Sequence, residues 1–146
     1  MTTRASSLTG AMVVLVVGLV QAHHPVANYF DTSKTVTLEG TVAATWFAMP
    51  HSYLLVDVKD KAGNVQQWAV EGGDSKSVVT AGMTPKTVSI GTELTIVAFP
   101  PKSGVSLANA LASAPDAVAA ASKAGRLVHG KEIVLADGTR IAFTAA

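Results

Sequence analysis

The chain has 146 residues, a formal net charge of +1 and no cysteine. This length corresponds to about one domain with a single modest core. The lack of cysteine excludes thiolate chemistry, iron–sulfur clusters and cysteine-ligated zinc, and the balanced charge without a basic face argues against a nucleic-acid partner. The sequence also lacks the nucleophile elbow, the His-Glu-x-x-His zinc motif and the phosphate loop. We therefore expect a protein that is not an enzyme.

The first 22 residues are predicted to be a signal peptide. Arg4 precedes an apolar stretch, Leu8–Val20, which is shorter than the ~20 residues of a membrane-spanning helix. Val20 and Ala22 occupy positions −3 and −1 of a cleavage site after Ala22. We therefore expect residues 1–22 to be removed, which makes the protein periplasmic or secreted, without stable membrane insertion. An uncleaved N-terminal anchor is the alternative.

The mature chain opens with an arm, residues 23–34, that is expected to be extended. Beyond it, β-branched and apolar residues alternate with polar ones between turn signals, which predicts strands. The expected strands are 35–42, 53–58, 65–71, 94–99, 127–135 and 139–144. Gly40, inside the first strand, indicates a bulge or a close approach of backbones.

Helices are expected in two places. Asp74 or Ser75 can cap a short helix that ends at Gly82. The alanine-rich segment 105–125 has the form of an insertion, with a helix over 115–124 that begins with a proline.

The order of these elements predicts the fold class. Three strands, a helix and further strands are typical of an OB-like barrel. We expect a mainly β domain over residues 23–146: a small, partly open barrel of five to six strands with one or two short helices. A β-sandwich is the main alternative.

The strongest chemical signal is the pair His23–His24, which cleavage after Ala22 would place at the new N-terminus. A terminal histidine offers a metal its free amine and a ring nitrogen. An imidazole from elsewhere would complete a nitrogen set that suits Cu(II), and His51, at a strand entrance, is the candidate. The competing interpretation of His51 is a turn residue that hydrogen-bonds to the backbone.

Cleavage one residue earlier would give a different site. The mature chain would then begin Ala22-His23-His24, and a histidine at position three binds Cu(II) or Ni(II) in a square plane through the amine and backbone amides. The glutamine at position 21 makes this cut unfavourable.

Glu71 and His129 are the other polar candidates. Glu71, at a strand end, is expected to bind the metal or to hydrogen-bond a ligating imidazole. The competing interpretation of Glu71 is an exposed acid beside the turn at 72–73. His129, on a late strand, is expected to be structural or exposed.

The motifs of the mature chain, in order, resemble a family of small exported bacterial proteins of unknown function. The shared motifs are His-His at 23–24, Pro-His-Ser at 50–52, Trp-x-x-Glu-Gly at 68–72 and Asp-Gly at 137–138. Family members typically have serine where Pro25 stands and asparagine where Met49 stands. The resemblance implies a periplasmic β-barrel-like domain and brings no established activity.

Together these observations predict a periplasmic protein that binds a divalent metal, with copper favoured. The predicted ligands are His23, His24, His51 and Glu71. Carriage or sensing of the metal is expected rather than catalysis, and a copper oxygenase is the enzymatic alternative. A periplasmic protein is a further candidate partner. The alternative is a non-catalytic, OB-like interaction module for a peptide, a glycan or a membrane protein, in which the histidines are incidental.

Overall fold

The computed structural model describes residues 25–144, so the predicted signal peptide and His23 and His24 lie outside the described residues. This part of the chain contains six strands and three short helices. The strands are β1 (Val36–Trp46), β2 (Tyr53–Lys59), β3 (Val65–Glu71), β4 (Glu93–Phe99), β5 (Leu127–Leu135) and β6 (Arg140–Ala142). The helices are α1 (Val26–Tyr29), α2 (Ser75–Thr80) and α3 (Asp116–Lys123). No helix within residues 25–144 is long and apolar enough to cross a membrane.

The first five strands form a closed barrel. β1 pairs antiparallel with both β2 and β4, while β3 pairs with β2 and β5 pairs with β4. A parallel pairing of β3 with β5 closes the circuit, and β6 extends the sheet beyond β5. The predicted mainly β, OB-like barrel is confirmed. The barrel is closed rather than partly open as predicted, because β3 pairs with β5, and three short helices stand where one or two were predicted.

Apolar residues cover both faces of the barrel wall. Alternate residues of a strand face opposite sides of a sheet, so Leu54 and Val56 belong to the interior core, whereas Tyr53 and Leu55 belong to a second cluster outside the wall. We call this second cluster the outer layer. Its buried members are Phe30, Tyr53, Leu55, Ala69, Val118, Ala121 and Leu127. Two of them come from α3, so the alanine-rich segment covers part of the barrel.

The prediction of an extended N-terminal arm is wrong for residues 26–29, which form α1. A single helical turn forms here because Phe30 N donates a hydrogen bond to Val26 O at 2.9 Å. Phe30 then makes an isolated antiparallel bridge with Pro101, and its side chain is fully buried. The arm is therefore anchored to the barrel by packing that the local sequence does not reveal.

β1 is longer than predicted because it continues to Trp46 past a bulge between Val42 and Ala44. Gly40 is nevertheless a point of close approach, as the sequence indicated. A Cβ atom on Gly40 would lie 2.4 Å from the carbonyl oxygen of Asp57 in β2. Glycine at this position therefore lets β1 and β2 approach each other.

Phe143 belongs to the interior core of the barrel and packs against two glycines. Its side chain is fully buried, and Gly72 and Gly130 pack on its ring so closely that an added Cβ atom would lie 2.3 Å and 2.4 Å, respectively, from a ring carbon.

We expect Gly130→Ala to lower the free energy of unfolding by about 1–3 kcal/mol, the usual cost of overpacking. In urea unfolding, adding Phe143→Leu should make the total loss smaller than the sum of the two single losses. Strict additivity would contradict the contact.

The N-terminus of α2 is capped by Asp74, as predicted. One carboxylate oxygen of Asp74 accepts hydrogen bonds from Lys76 N at 2.9 Å and from Ser77 N at 3.0 Å.

Asp74→Ala should lower the free energy of unfolding by about 1 kcal/mol, because both donors lose their acceptor. Asp74→Asn keeps an acceptor oxygen and should retain most of the stability. Equal losses for the two variants in a thermal melt would argue against the cap.

Candidate functional site

One row of residues crosses four neighbouring strands near Phe143. Tyr53 of β2 lies opposite Glu71 of β3, Glu71 lies opposite His129 of β5, and His129 lies opposite Phe99 of β4. Residues directly opposite each other in a sheet project to the same face and their side chains interact. This row faces the outer layer, to which Tyr53 belongs.

Glu71 and His129 form a buried pair in this row. Each residue is 1 % exposed, and His129 Nδ1 lies 3.2 Å from Glu71 Oε1. The other ring nitrogen, Nε2, lies 3.3 Å from Thr144 Oγ1. The rings of Phe30 and Phe99 flank the imidazole, with centroid distances of 5.3 Å and 6.5 Å. Hydrogen bonds and ring packing thus hold the imidazole against the carboxylate.

His51 is a second imidazole beside Glu71. Its Nδ1 atom lies 3.3 Å from the carbonyl oxygen of Gly72 and 3.8 Å from Glu71 Oε1. The hydrogen bond to this carbonyl assigns the proton to Nδ1, so that Nε2 is the nitrogen whose lone pair suits a metal. The expected hydrogen bond to the backbone is present and is compatible with a ligand role. We call His51, Glu71 and His129 the Glu71 cluster.

Backbone pairing beyond the strand ends brings His51 to Glu71. Ser52 N donates to Gly73 O, and Gly72 N donates to Ser52 O, both at 2.8 Å. These two bonds continue the β2–β3 ladder past its last paired residues, Tyr53 and Glu71. The residue before Ser52 is therefore held beside the end of β3, which places the His51 ring within reach of the carboxylate.

Unpartnered polar atoms occur at the same place. Among residues 25–144, the buried side-chain polar atoms without a hydrogen-bond partner are Ser52 Oγ, Tyr53 Oη and Glu71 Oε2. Such atoms are rare in folded proteins, and a bound water or ion often satisfies them. Burial and the charge of Glu71 raise the pKa of the Tyr53 phenol. The phenol therefore stays neutral beside the carboxylate at physiological pH.

The cluster does not by itself make a complete metal site. Within residues 25–144, no group of three or more histidine and carboxylate side chains is arranged to hold a metal ion. His129 directs its two ring nitrogens at Glu71 and Thr144, so His51 and Glu71 are the candidate ligands among the described residues. Further ligands would have to come from elsewhere, and the predicted ones, His23 and His24, precede the described chain directly.

Residues 12–110 match a family of unknown function (DUF6152). The chain belongs to this family. The match to DUF6152 includes His51 and Glu71 and ends before His129. No curated protein and no solved structure matches the chain. Membership of DUF6152 therefore brings no activity with it, and a function has to be inferred from the site.

The site of this DUF6152 protein was only partly foreseeable from its sequence. The interpretation of Glu71 as an exposed acid is wrong, because the residue is 1 % exposed. The sequence also left His129 out of the predicted site, although the structure pairs it with Glu71. A usable signal was the OB-like strand order, because such a barrel closes by pairing the third strand with the fifth, where these two residues lie.

A surface depression elsewhere on this DUF6152 protein contains no histidine. Its lining includes the acidic residues Glu39, Asp57 and Glu93 together with Lys59. None of the unpartnered buried atoms among residues 25–144 belongs to its lining. The Glu71 cluster is therefore the better candidate site on chemical grounds.

Proposed function

We propose that the exported and processed form of this protein binds a divalent metal, with copper favoured, in the periplasm or outside the cell. Its ligands are His23, His24, His51 and Glu71. In this role the protein carries or senses the metal and does not catalyse a reaction. The observation that carries the proposal is the buried carboxylate of Glu71 between two imidazoles.

The charge of Glu71 supports a cation at this place. Within residues 25–144, the ion-pair partners of the Glu71 carboxylate are His51 and His129, and no lysine or arginine is among them. A buried carboxylate without a compensating charge is costly. A divalent ion beside it would supply that charge, and a mixture of imidazole and carboxylate donors suits copper and other late divalent metals.

The path of the chain supports participation by the N-terminal histidines. Val26 of α1 packs against the outer layer, and the ring of Phe30 contacts the ring of His129. His24 is bonded directly to Pro25, where the described chain begins. If the signal peptide is cut after Ala22, the free amine of His23 is available as a ligand two residues before Pro25.

The test is a Cu(II) titration of protein recovered from the periplasm, with its first residue identified by mass spectrometry. We expect His23 as the first residue, one Cu(II) per chain and submicromolar affinity, weakened about tenfold or more by His51→Ala. Glu132→Gln is the matched control, because this carboxylate pairs with Arg140 away from the cluster. Micromolar or weaker binding that His51→Ala leaves unchanged would overturn the proposal.

A further inference from the structure

The two oxygens of the Glu71 carboxylate differ in their contacts: one lies near imidazole nitrogens, and the other has no hydrogen-bond partner among residues 25–144. Oε1 is 3.2 Å from His129 Nδ1 and 3.8 Å from His51 Nδ1. Oε2 is buried and has no hydrogen-bond partner among residues 25–144. The side chain therefore presents a fixed, unshared carboxylate oxygen next to the imidazole that we propose as a metal ligand.

His129 is built to hold the carboxylate in this orientation. Its Nε2 atom is tied to Thr144 Oγ1 at 3.3 Å, and the ring of Phe99 stacks on it with an interplanar angle of 10°. Because the imidazole cannot turn without losing these contacts, its Nδ1 stays directed at Glu71 Oε1. Such outer partners orient a ligand and tune the metal that it binds.

A fixed buried carboxylate distinguishes the two common oxidation states of copper. Its attraction to a cation grows in proportion to the charge of that cation, so Cu(II) gains more than Cu(I). A carboxylate oxygen is also a hard donor, whereas Cu(I) prefers soft thiolate and thioether donors. Both effects act in the same direction.

We propose that Glu71, positioned by His129, makes the site selective for Cu(II) over Cu(I). This inference rests on the proposed function and deepens it, because it assigns the oxidation state of the bound copper. Glu71 is the ligand in this arrangement, and His129 is a positioning residue that acts through it.

The test compares the two copper affinities of the processed protein. Cu(II) affinity is measured in air against a chromophoric chelator, and Cu(I) affinity is measured anaerobically with ascorbate and a Cu(I)-specific chelator. We expect Glu71→Gln to weaken Cu(II) binding about tenfold or more and to change Cu(I) binding much less. For a one-electron couple, each tenfold loss of Cu(II) binding alone raises the reduction potential by about 59 mV. Glu132→Gln should leave both affinities unchanged.

His129 variants separate positioning from mere structural support. His129→Gln keeps an N–H donor for Glu71 and should preserve the ratio of the two affinities. His129→Leu removes the donor and should reduce that ratio about as much as Glu71→Gln; where His129→Leu does not fold, the comparison of Glu71→Gln with His129→Gln carries the test.

Two results would overturn the inference, and only one of them would also overturn the proposed metal-binding function. If the wild-type protein binds Cu(II) but Glu71→Gln weakens both oxidation states equally, the selectivity is not due to Glu71, and the metal-binding function stands. If the wild-type protein binds neither Cu(II) nor Cu(I), the proposed function and this inference both fail.

Discussion

His129→Leu should lower the free energy of unfolding by about 1.5–3 kcal/mol, the typical contribution of a hydrogen bond to a charged group. Leucine places an apolar side chain at a position that is 1 % exposed. The main loss is the 3.2 Å contact between His129 Nδ1 and Glu71 Oε1, which leaves the carboxylate buried with only His51 as an ion-pair partner among residues 25–144. Urea unfolding of the metal-free protein in the presence of a chelator measures this loss.

A double variant separates the effect of charge from the effect of packing. Glu71→Leu combined with His129→Leu removes the buried carboxylate as well as its partner, and apolar replacement of a whole buried pair is often close to neutral. The double variant should therefore be more stable than His129→Leu alone. A double variant that is less stable than His129→Leu would show that packing, and not an uncompensated charge, explains the loss.

Four extra residues, Gly-Ser-Gly-Ser, placed before His23 should weaken Cu(II) binding by about 100-fold or more, because the terminal chelate is lost. In the extended protein the nitrogen of His23 is part of a peptide bond and cannot act as an amine ligand. The imidazole rings of His23 and His24 are unchanged in the extended protein, and so are His51 and Glu71. The dissociation constant for Cu(II), measured with the extended and the processed protein in parallel, tests this prediction.

The length of the extension matters for this experiment. One added residue would put His24 at position three of the chain, and two would put His23 there, and either creates a square-planar chelate through backbone amides. Four residues avoid both. Proteolytic removal of the extension should restore tight binding in the same sample. Tight binding by the extended protein would show that the terminal amine is not a ligand.

Much of the barrel could be predicted from the sequence. The strand over 65–71 and the strand over 127–135 match β3 and β5 in extent, because alternation and flanking turn residues are local signals. The helical turn at 26–29 could not be predicted in this way. It depends on the burial of Phe30 against His129 and on a bridge to Pro101, which are contacts between distant parts of the chain.

The candidate site was predictable by residue type and not by arrangement. His51 and Glu71 belong to distinctive motifs, and they lie close together in the structure. The burial of Glu71 and the role of His129 follow from the parallel register of β3 and β5. This register arises from the closure of the barrel. It cannot be predicted from the alternation of residues within either strand.

In the proposed site, His51 and the mature N-terminus bind the same metal ion. Electron paramagnetic resonance of the Cu(II)-loaded, processed protein, with ¹⁵N-labelled histidine, measures which nitrogens are bound to the copper. We predict nitrogen donors from the terminal amine, from the rings of His23 and His24 and from His51, and the loss of one histidine nitrogen signal in His51→Ala. A spectrum that His51→Ala leaves unchanged would contradict the shared site.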